Sequence, residues 1–267
     1  MNSTSPLQSP TYNFPVWGRG IFAVWYRNLL YFKYTLFSSF FIVIIEPLLI
    51  FLAIGYGLGF FIGDLDGTPY RSFFFPALVA NASMFISFFE ASYGSYAKLT
   101  QQRTFESILM TPIETSEIVL GEILWASSKG LMCSLVIAGV GAGLGLIESW
   151  LVLPSLLVVF LLCWSSASFG MLLASSATKY DIFIYAQCGL LIPLSLFSHT
   201  FFPITHYPET LQLIVFLFPL SHAVSAVRAL LAGDIPAIIF LNLGVLFGYG
   251  FILSQWAVYK MSKRIYE

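Results

Sequence analysis

The stretch from Leu151 to Ser175 reads LVLPSLLVVFLLCWSSASFGMLLAS and contains no charged side chain. A helix needs about 20 mostly apolar residues to cross about 30 Å of hydrocarbon, so this stretch is long enough to span a bilayer. It lacks the two-residue alternation that a membrane β-barrel strand requires. Because only helices and closed barrels satisfy their backbone in lipid, the stretch predicts a membrane-spanning helix.

Five other stretches meet the same requirement, and the composition agrees with them. The chain is 58% hydrophobic and only 9% charged, whereas an ordinary soluble domain is about 25% charged. We therefore predict an all-α integral membrane protein with six transmembrane helices. The net charge of −1 gives no overall field that would attract nucleic acid. The six predicted spans are residues 36–62, 72–93, 118–147, 151–175, 182–202 and 236–259.

The positions of Lys and Arg predict the orientation of these spans, because such residues are enriched in cytoplasmic loops. If the N-terminus is cytoplasmic, the outer side receives only Arg71 and Arg228. Both termini are therefore predicted to be cytoplasmic. The inner side receives nine cations: Arg19, Arg27, Lys33, Lys98, Arg103, Lys179, Lys260, Lys263 and Arg264.

The sequence divides into a tail with a connector helix (1–35), a transmembrane domain (36–260) and a short cytoplasmic tail (261–267). In the first region, Ile21, Val24, Trp25 and Leu29 recur at helical spacing with cations between them. This pattern predicts an amphipathic helix that lies in the membrane interface.

The inner connection, residues 94–117, is too long to be a simple turn. Phe105, Ile108 and Leu109 share one face of a predicted short helix, and Pro112 would end it. A short amphipathic helix at this position could dock against a soluble partner, or it could rest on lipid headgroups. Both interpretations remain open from the pattern alone.

The outer connection, residues 203–234, contains an apolar stretch, Leu211–Leu220, that is too short to cross a bilayer. It predicts a re-entrant or interfacial hairpin. Residues 221–231 predict a second short helix, with Gly233 just past its end. Three histidines are predicted on this side, but their spacing matches no usual zinc pattern, and no metal site is expected. They are His199, His206 and His222.

Four charged residues lie within or at the ends of predicted spans: Glu46, Glu90, Glu122 and Lys129. Ionisable groups in a membrane are costly and often functional. We expect Glu90 to pair with Lys129 across two helices, while Glu122 shares a helix face with Lys129. A direct role in moving a substrate is the alternative for these groups. Glu46 precedes Pro47, whose ring leaves backbone carbonyls without partners, and it is predicted to occupy a polar gap between helices.

The residue patterns of several enzyme classes are missing from the sequence. There is no Gly-x-Ser-x-Gly, no His-Glu-x-x-His and no Gly-Lys-Ser/Thr. The chain is therefore predicted to be non-catalytic. If it pumps, ATP and Mg²⁺ are bound by a separate polypeptide.

Three segments resemble a known family, the type-2 ABC transporter permeases. Residues 102–113 (QRTFESILMTPI) resemble the segment before the third span of these permeases. Residues 218–230 (FPLSHAVSAVRAL) are similar to the segment before their last span. Residues 121–129 (GEILWASSK) resemble the nodulation protein J branch, which exports lipo-chitooligosaccharides.

The resemblance implies a permease subunit of an ATP-driven exporter in the bacterial inner membrane. The implied partners are two ATP-binding cassette subunits, a second permease copy, the lipid bilayer and an amphipathic lipid-linked substrate. Polysaccharide or hydrophobic-drug export and, less readily, a passive channel or carrier remain alternatives. His222 and Arg228 fall in the outer segment, with Arg228 at the family's outer arginine. The resemblance places a coupling helix at or beside the ATPase contact: Gln102, Arg103, Thr104, Phe105, Glu106, Ile108 and Leu109.

Overall fold

The computed structural model describes residues 18–37, 41–65, 67–147, 149–203 and 207–266. It is mostly helical, with one short hairpin in which β1 (Asp64–Leu65) pairs antiparallel with β2 (Thr68–Pro69). The predicted tail up to residue 17 and His206 lie outside the described residues. The helices are α1 (Arg19–Tyr34), α2 (Val43–Ile62), α3 (Tyr70–Thr100), α4 (Thr104–Leu109), α5 (Thr115–Gly143), α6 (Val152–Ser176), α7 (Asp181–Phe197), α8 (Glu209–Phe216), α9 (Pro219–Leu231) and α10 (Ile238–Tyr266).

Within the described residues, five helices are long and apolar enough to cross a membrane: α2, α3, α5, α6 and α10. Helices α8 and α9 meet at a 90° bend, and the number rises to six if this pair counts as one span. The chain is thus a multi-pass membrane protein. The bend agrees with the expectation of two short outer helices, although the second begins at Pro219 rather than at residue 221. Gly233 follows it with a φ of 91°.

The stretch predicted as the fifth span, residues 182–202, forms a shorter helix than expected. Helix α7 has 17 residues, which is about 26 Å at 1.5 Å per residue and less than the usual hydrocarbon thickness. The helix ends because His199, two residues past Phe197, adopts a left-handed backbone conformation with a φ of 57°. Apolar composition alone gave no sign of that break.

Helix α6 lies at the centre of the bundle and packs against α3, α5, α9 and α10. Small residues allow neighbouring helices of the bundle to cross at a short distance from each other. A Cβ atom on Gly130 of α5 would clash with Ser87 Oγ and would lie 2.7 Å from Cys163 Sγ. Such close approach through small residues is typical of helix packing in membranes.

The buried apolar side chains form two clusters, one toward each end of the bundle. One includes residues of α3, α6 and α9. The other joins α1, α4, α5 and the end of α10. We call these two ends the α9 end and the α4 end. Helices α2 and α10 are peripheral, because only 22% and 28% of their most apolar windows are buried, against 67% for α3.

Helix α1 forms where the connector was predicted, but its buried face differs from the expected one. Ile21, Val24 and Asn28 are buried against α5. Trp25 is half-buried, and its indole Nε1 donates a hydrogen bond to Ser128 Oγ at 3.1 Å. The opposite face exposes aromatic side chains: Phe22, Tyr26, Tyr31 and Tyr34.

Pro47 interrupts the hydrogen bonding of the first span, as expected, because it cannot donate to the carbonyl of Val43. The structure satisfies that carbonyl with the thiol of Cys133, whose Sγ lies 3.3 Å from Val43 O. Glu46 does not fill the gap and is exposed. The predicted polar gap is therefore closed by a cysteine of α5, and the carboxylate points away from the packed face of this subunit.

Candidate functional site

A buried carboxylate joins three elements at the α4 end of the bundle. Glu122 of α5 is 1% exposed and lies between two cations. Its Oε2 accepts a hydrogen bond from Lys98 Nζ at 2.6 Å, and its Oε1 accepts one from Arg27 at 3.2 Å. Because a buried charge is tolerated when it is paired and hydrogen-bonded, this cluster holds α1, α3 and α5 in one arrangement.

Asn28 completes the Glu122 cluster from α1. Its Oδ1 accepts hydrogen bonds from Arg27 at 2.8 Å and from Lys98 at 3.1 Å. The two cations therefore contact both the carboxylate and the amide. Glu122 does not bond to Lys129, the residue with which it shares a helix face.

The pair expected between Glu90 and Lys129 is present. Lys129 Nζ lies 2.7 Å from Glu90 Oε2. The indole Nε1 of Trp125 donates a second hydrogen bond to Glu90 Oε1 at 2.8 Å. The side chains of Lys129 and Glu90 are 18% and 20% exposed, so the pair borders an open space rather than the closed core.

That open space is a cleft of about 360 Å³ between α1, α3 and α5. We call it the α1 cleft. Arg27, Asn28, Lys98, Glu90 and Lys129 line it, together with aromatic residues. Both charge clusters therefore meet at one cavity.

Helix α4 begins at a backbone position that few residues adopt. Arg103 precedes it with a φ of 49° and a ψ of 30°, in the left-handed region that is uncommon for residues other than glycine. Gln102, Arg103 and Glu106 are exposed, and Thr104 is half-buried. These side chains form the outer surface of the loop.

Phe105 is buried inside this chain, whereas a residue that contacts a partner protein would be exposed. It is 1% exposed and belongs to the same cluster as Ile21 and Ile118. Ile108 and Leu109 pack against that cluster as well. The predicted apolar face of the helix therefore exists, but it anchors α4 to the rest of the chain instead of facing outward.

Two glutamates fix the start of α5 beside this loop. Glu114 and Glu117 form a capping box at its N-terminus, in which each side chain satisfies a backbone N–H. Glu117 Oε1 also accepts a hydrogen bond from the backbone N–H of Gly20 at 3.2 Å. One side chain thus ties the first turn of α1 to the end of the loop.

At the α9 end, Arg228 connects three segments. Its guanidinium donates hydrogen bonds to the carbonyls of His199 at 2.9 Å and Phe73 at 3.2 Å. Its Cζ lies 4.0 Å from the centre of the Phe73 ring. Burial, and then the nearby Arg228 charge, lower the pKa of His199 to about 4.

His222 is buried at the bend between α8 and α9. Its Nε2 lies 2.8 Å from the carbonyl of Phe216, and its Nδ1 lies 2.8 Å from Asn242 Oδ1. Each ring nitrogen thus faces an oxygen atom on a different helix. His222 therefore joins α8, α9 and α10. Within the described residues, no group of three or more His, Cys, Asp or Glu side chains could hold a metal ion.

Residues 19–232 of the chain match the family model described as "ABC-2 type transporter". The match covers α1 to α9 and includes both charge clusters, the α4 loop and Arg228. The chain belongs to this family.

Relatives of this ABC-2 protein carry the name nodulation protein J. The chain is 32% identical over 238 residues to the one from Rhizobium meliloti (strain 1021), covering 89% of this chain and 91% of the relative. It is 34% identical over 206 residues to that of Sinorhizobium fredii, covering 77% and 79%. The inner membrane transport permease YadH of Escherichia coli is 26% identical over 226 residues, covering 80% and 84%. No solved structure matches the chain.

Several residues of the candidate site could not be linked to one another from the sequence. The sequence marks Arg27 and Lys98 only by their charge, and it gives no reason to single out Asn28. Met110 was absent from the predicted contact set, yet its side chain is 88% exposed at the end of α4. The signal in the sequence is a large apolar side chain two residues before Pro112, in a short loop that is otherwise rich in polar residues.

Proposed function

We propose that this chain is the permease subunit of an ATP-driven exporter, and that it forms the path for an amphipathic, lipid-linked substrate. The observation that carries the proposal is the ABC-2 match over residues 19–232. The chain itself supplies no catalytic residue in this proposal. A partner ATP-binding cassette subunit supplies ATP and Mg²⁺, with two copies in each transporter.

The outer surface of α4 is the proposed contact with the ATPase. Arg103 and Glu106 offer charges, and Met110 offers an apolar side chain that is 88% exposed. An exposed apolar group rimmed by polar residues is typical of a protein–protein contact. Gln102 and Thr104 border the same surface.

The burial of Phe105 provides a way for a movement of α4 to reach the other helices. ATP binding closes the two ATPase subunits and displaces α4, with the energy coming from tighter nucleotide binding in the closed state. Because Phe105 packs in the cluster that joins α1, α5 and α10, and close-packed interiors transmit strain, a shift of α4 moves these helices with it. Ile108 and Leu109 support the same attachment.

A second copy of the permease covers the peripheral helices in this proposal. Most of α2 is unburied, and Glu46 is exposed on it. A carboxylate inside a membrane faces a protein or a water-filled cavity rather than lipid. The exposed face of α2 is therefore assigned to the seam between two permeases, beside the substrate path.

The proposed substrate is a lipooligosaccharide or related glycolipid. Support comes from the similarity to the nodulation protein J relatives and from the GEILWASSK segment. The proposed location is a bacterial inner membrane with both termini cytoplasmic. The nine-to-two distribution of cations and the similarity to an inner membrane permease support it.

The test is transport into inverted vesicles that contain the permease and its partner ATPase. We expect ATP-dependent uptake of a fluorescent lipooligosaccharide, with none when the ATPase lacks its catalytic glutamate. Parallel assays with a polysaccharide and a hydrophobic dye identify the substrate class. Movement at the same rate without the ATPase would contradict the exporter and favour a passive carrier.

A further inference from the structure

The α1 cleft carries more positive than negative charge. Among the described residues that line it, Arg27, Lys98 and Lys129 are cations and Glu90 is an anion. Glu122 lies behind the wall and pairs with Arg27 and Lys98. Three cations thus face two carboxylates, and one positive charge is unmatched. An unmatched charge at the edge of a membrane favours an anionic partner.

Asn28 supplies a hydrogen-bond donor without a partner. The residue is 3% exposed, and its Nδ2 has no hydrogen-bond acceptor among the described residues. The amide orientation is fixed, because its other atom accepts from two cationic donors, Arg27 and Lys98. Because Nδ2 is itself closed to solvent, it adds partial positive charge behind the wall of the cleft rather than a donor that an incoming group can reach.

Lys129 has donors to spare as well. An ammonium group has three N–H donors, and the bond to Glu90 uses one of them. Its Nζ also lies 5.7 Å from the centre of the Phe32 ring. Lys129 lines the cleft and its side chain is 18% exposed, so an anion there could accept from its free N–H groups.

The rest of the wall suits a lipid rather than a small ion. Tyr31, Phe32 and Trp125 line the cleft, and aromatic side chains are enriched at headgroup depth. The volume of about 360 Å³ far exceeds the roughly 30 Å³ share of a single water molecule. Basic pockets between helices on the cytoplasmic side are known to bind lipid headgroups.

We propose that the α1 cleft binds the phosphate group of an anionic lipid from the cytoplasmic leaflet. The phosphate oxygens accept hydrogen bonds from Lys129 Nζ, and the lipid balances the excess positive charge. The site concerns the permease alone and is independent of the exported substrate and of ATP. Binding of this lipid stabilises the junction of α1 with α3 and α5.

The experiment measures lipid binding to the purified full-length permease by native mass spectrometry. Phosphatidylglycerol is compared with phosphatidylcholine of the same acyl chains, and inorganic phosphate is added in a separate arm. We expect phosphatidylglycerol to be retained preferentially. The Asn28→Asp variant keeps the acceptor for Arg27 and Lys98 but adds a negative charge that cancels the excess positive charge beside the cleft, so its affinity for phosphatidylglycerol should fall about tenfold.

Two further variants make the experiment decisive. Gln102→Glu adds a negative charge at an exposed position of the cleft wall and should weaken binding even if Asn28→Asp fails to fold. Lys33→Gln removes a cation from the exposed face of α1 outside the cleft and should leave binding unchanged. Equal retention of the two lipids, full binding by both acidic variants, or displacement of the lipid by millimolar phosphate would overturn the proposal.

Discussion

Glu122 is the residue on which the α4 end depends most directly. Its side chain is 1% exposed and bonds to cations from two other helices. Removing one partner of a buried pair costs about 3–5 kcal/mol, because the other charge stays buried and unpaired. The carboxylate therefore makes the position of α1 conditional on the positions of α3 and α5.

His199 gives the α9 end a dependence on pH. Burial and the nearby Arg228 lower its pKa to about 4, whereas a histidine in an unfolded chain titrates near 6.5. The unfolded chain therefore binds this proton first, so the stabilising contribution is fully present above about pH 6.5 and is lost as the pH falls toward 4. We expect the melting temperature in detergent to fall across this range.

The matched variant is His199→Asn, because asparagine also tolerates the left-handed backbone found at this position. Its melting temperature should fall less than that of the wild type between pH 6.5 and 4.5. Identical pH profiles for the two proteins would show that His199 does not contribute.

At the scale of elements, the crossing of α1 over α5 depends on Gly121. A Cβ atom there would lie 2.7 Å from Val24 Cβ and 2.9 Å from the carbonyl of Ile21. Gly121→Leu should therefore push α1 away and expose Arg27 to limited trypsin digestion. Gly139→Leu on the same helix is the control, since nothing lies within 4 Å of its Cβ position. Equal cleavage of the two variants would contradict this close packing.

In the α4 loop, one residue anchors the helix to the bundle and a different residue is proposed to contact the ATPase. Phe105→Asp places a charge in the buried cluster and should lower the stability of the permease by about 3–5 kcal/mol. Met110→Asp changes only an exposed side chain and should leave the melting temperature unchanged while weakening co-purification of the ATPase. The proposed contact surface is wrong if Met110→Asp retains the ATPase at normal stoichiometry.

The sequence predicted the positions of the helices better than it predicted which side of each helix packs against the rest of the chain. Apolar length located five of the six predicted spans, and the pattern of Phe105, Ile108 and Leu109 located α4. The same pattern could not say whether that face meets another chain or this one, because an apolar face packs equally well on either. Glu90 and Lys129 could be paired from depth alone.

The Glu122 cluster could not be predicted for a different reason. Lys98 lies 70 residues from Asn28 and 24 from Glu122 along the chain, and their meeting depends on how three helices cross. The shortening of α7 at His199 was equally hidden, since a left-handed residue leaves no mark in hydropathy. Long-range contacts and single backbone angles set these features.

At the scale of the whole molecule, the exposed face of α2 predicts a symmetric contact between two copies. Leu49 is 59% exposed on this helix and lies one turn from Glu46. We expect Leu49→Cys, in a Cys188→Ser background that removes the exposed native cysteine, to form disulfide-linked dimers in native membranes. The measurement is non-reducing electrophoresis after mild oxidation.

The control for this cross-link is Leu157→Cys, which is 55% exposed on α6. It should stay monomeric, because α6 is the central helix of one subunit rather than a proposed seam. Efficient cross-linking at residue 157 and none at residue 49 would move the seam away from α2.

The cluster around Glu122 also has a consequence for biosynthesis. Arg27 and Lys98 both precede Glu122 in the chain, so the ribosome delivers the two cationic partners before the acid. When α5 leaves the translocon, Arg27 and Lys98 have already been synthesised. The Glu122 carboxylate can therefore pair with them and need not be exposed to lipid as an unpaired charge. We therefore expect this order of residues to lower the free-energy cost of inserting α5 into the membrane.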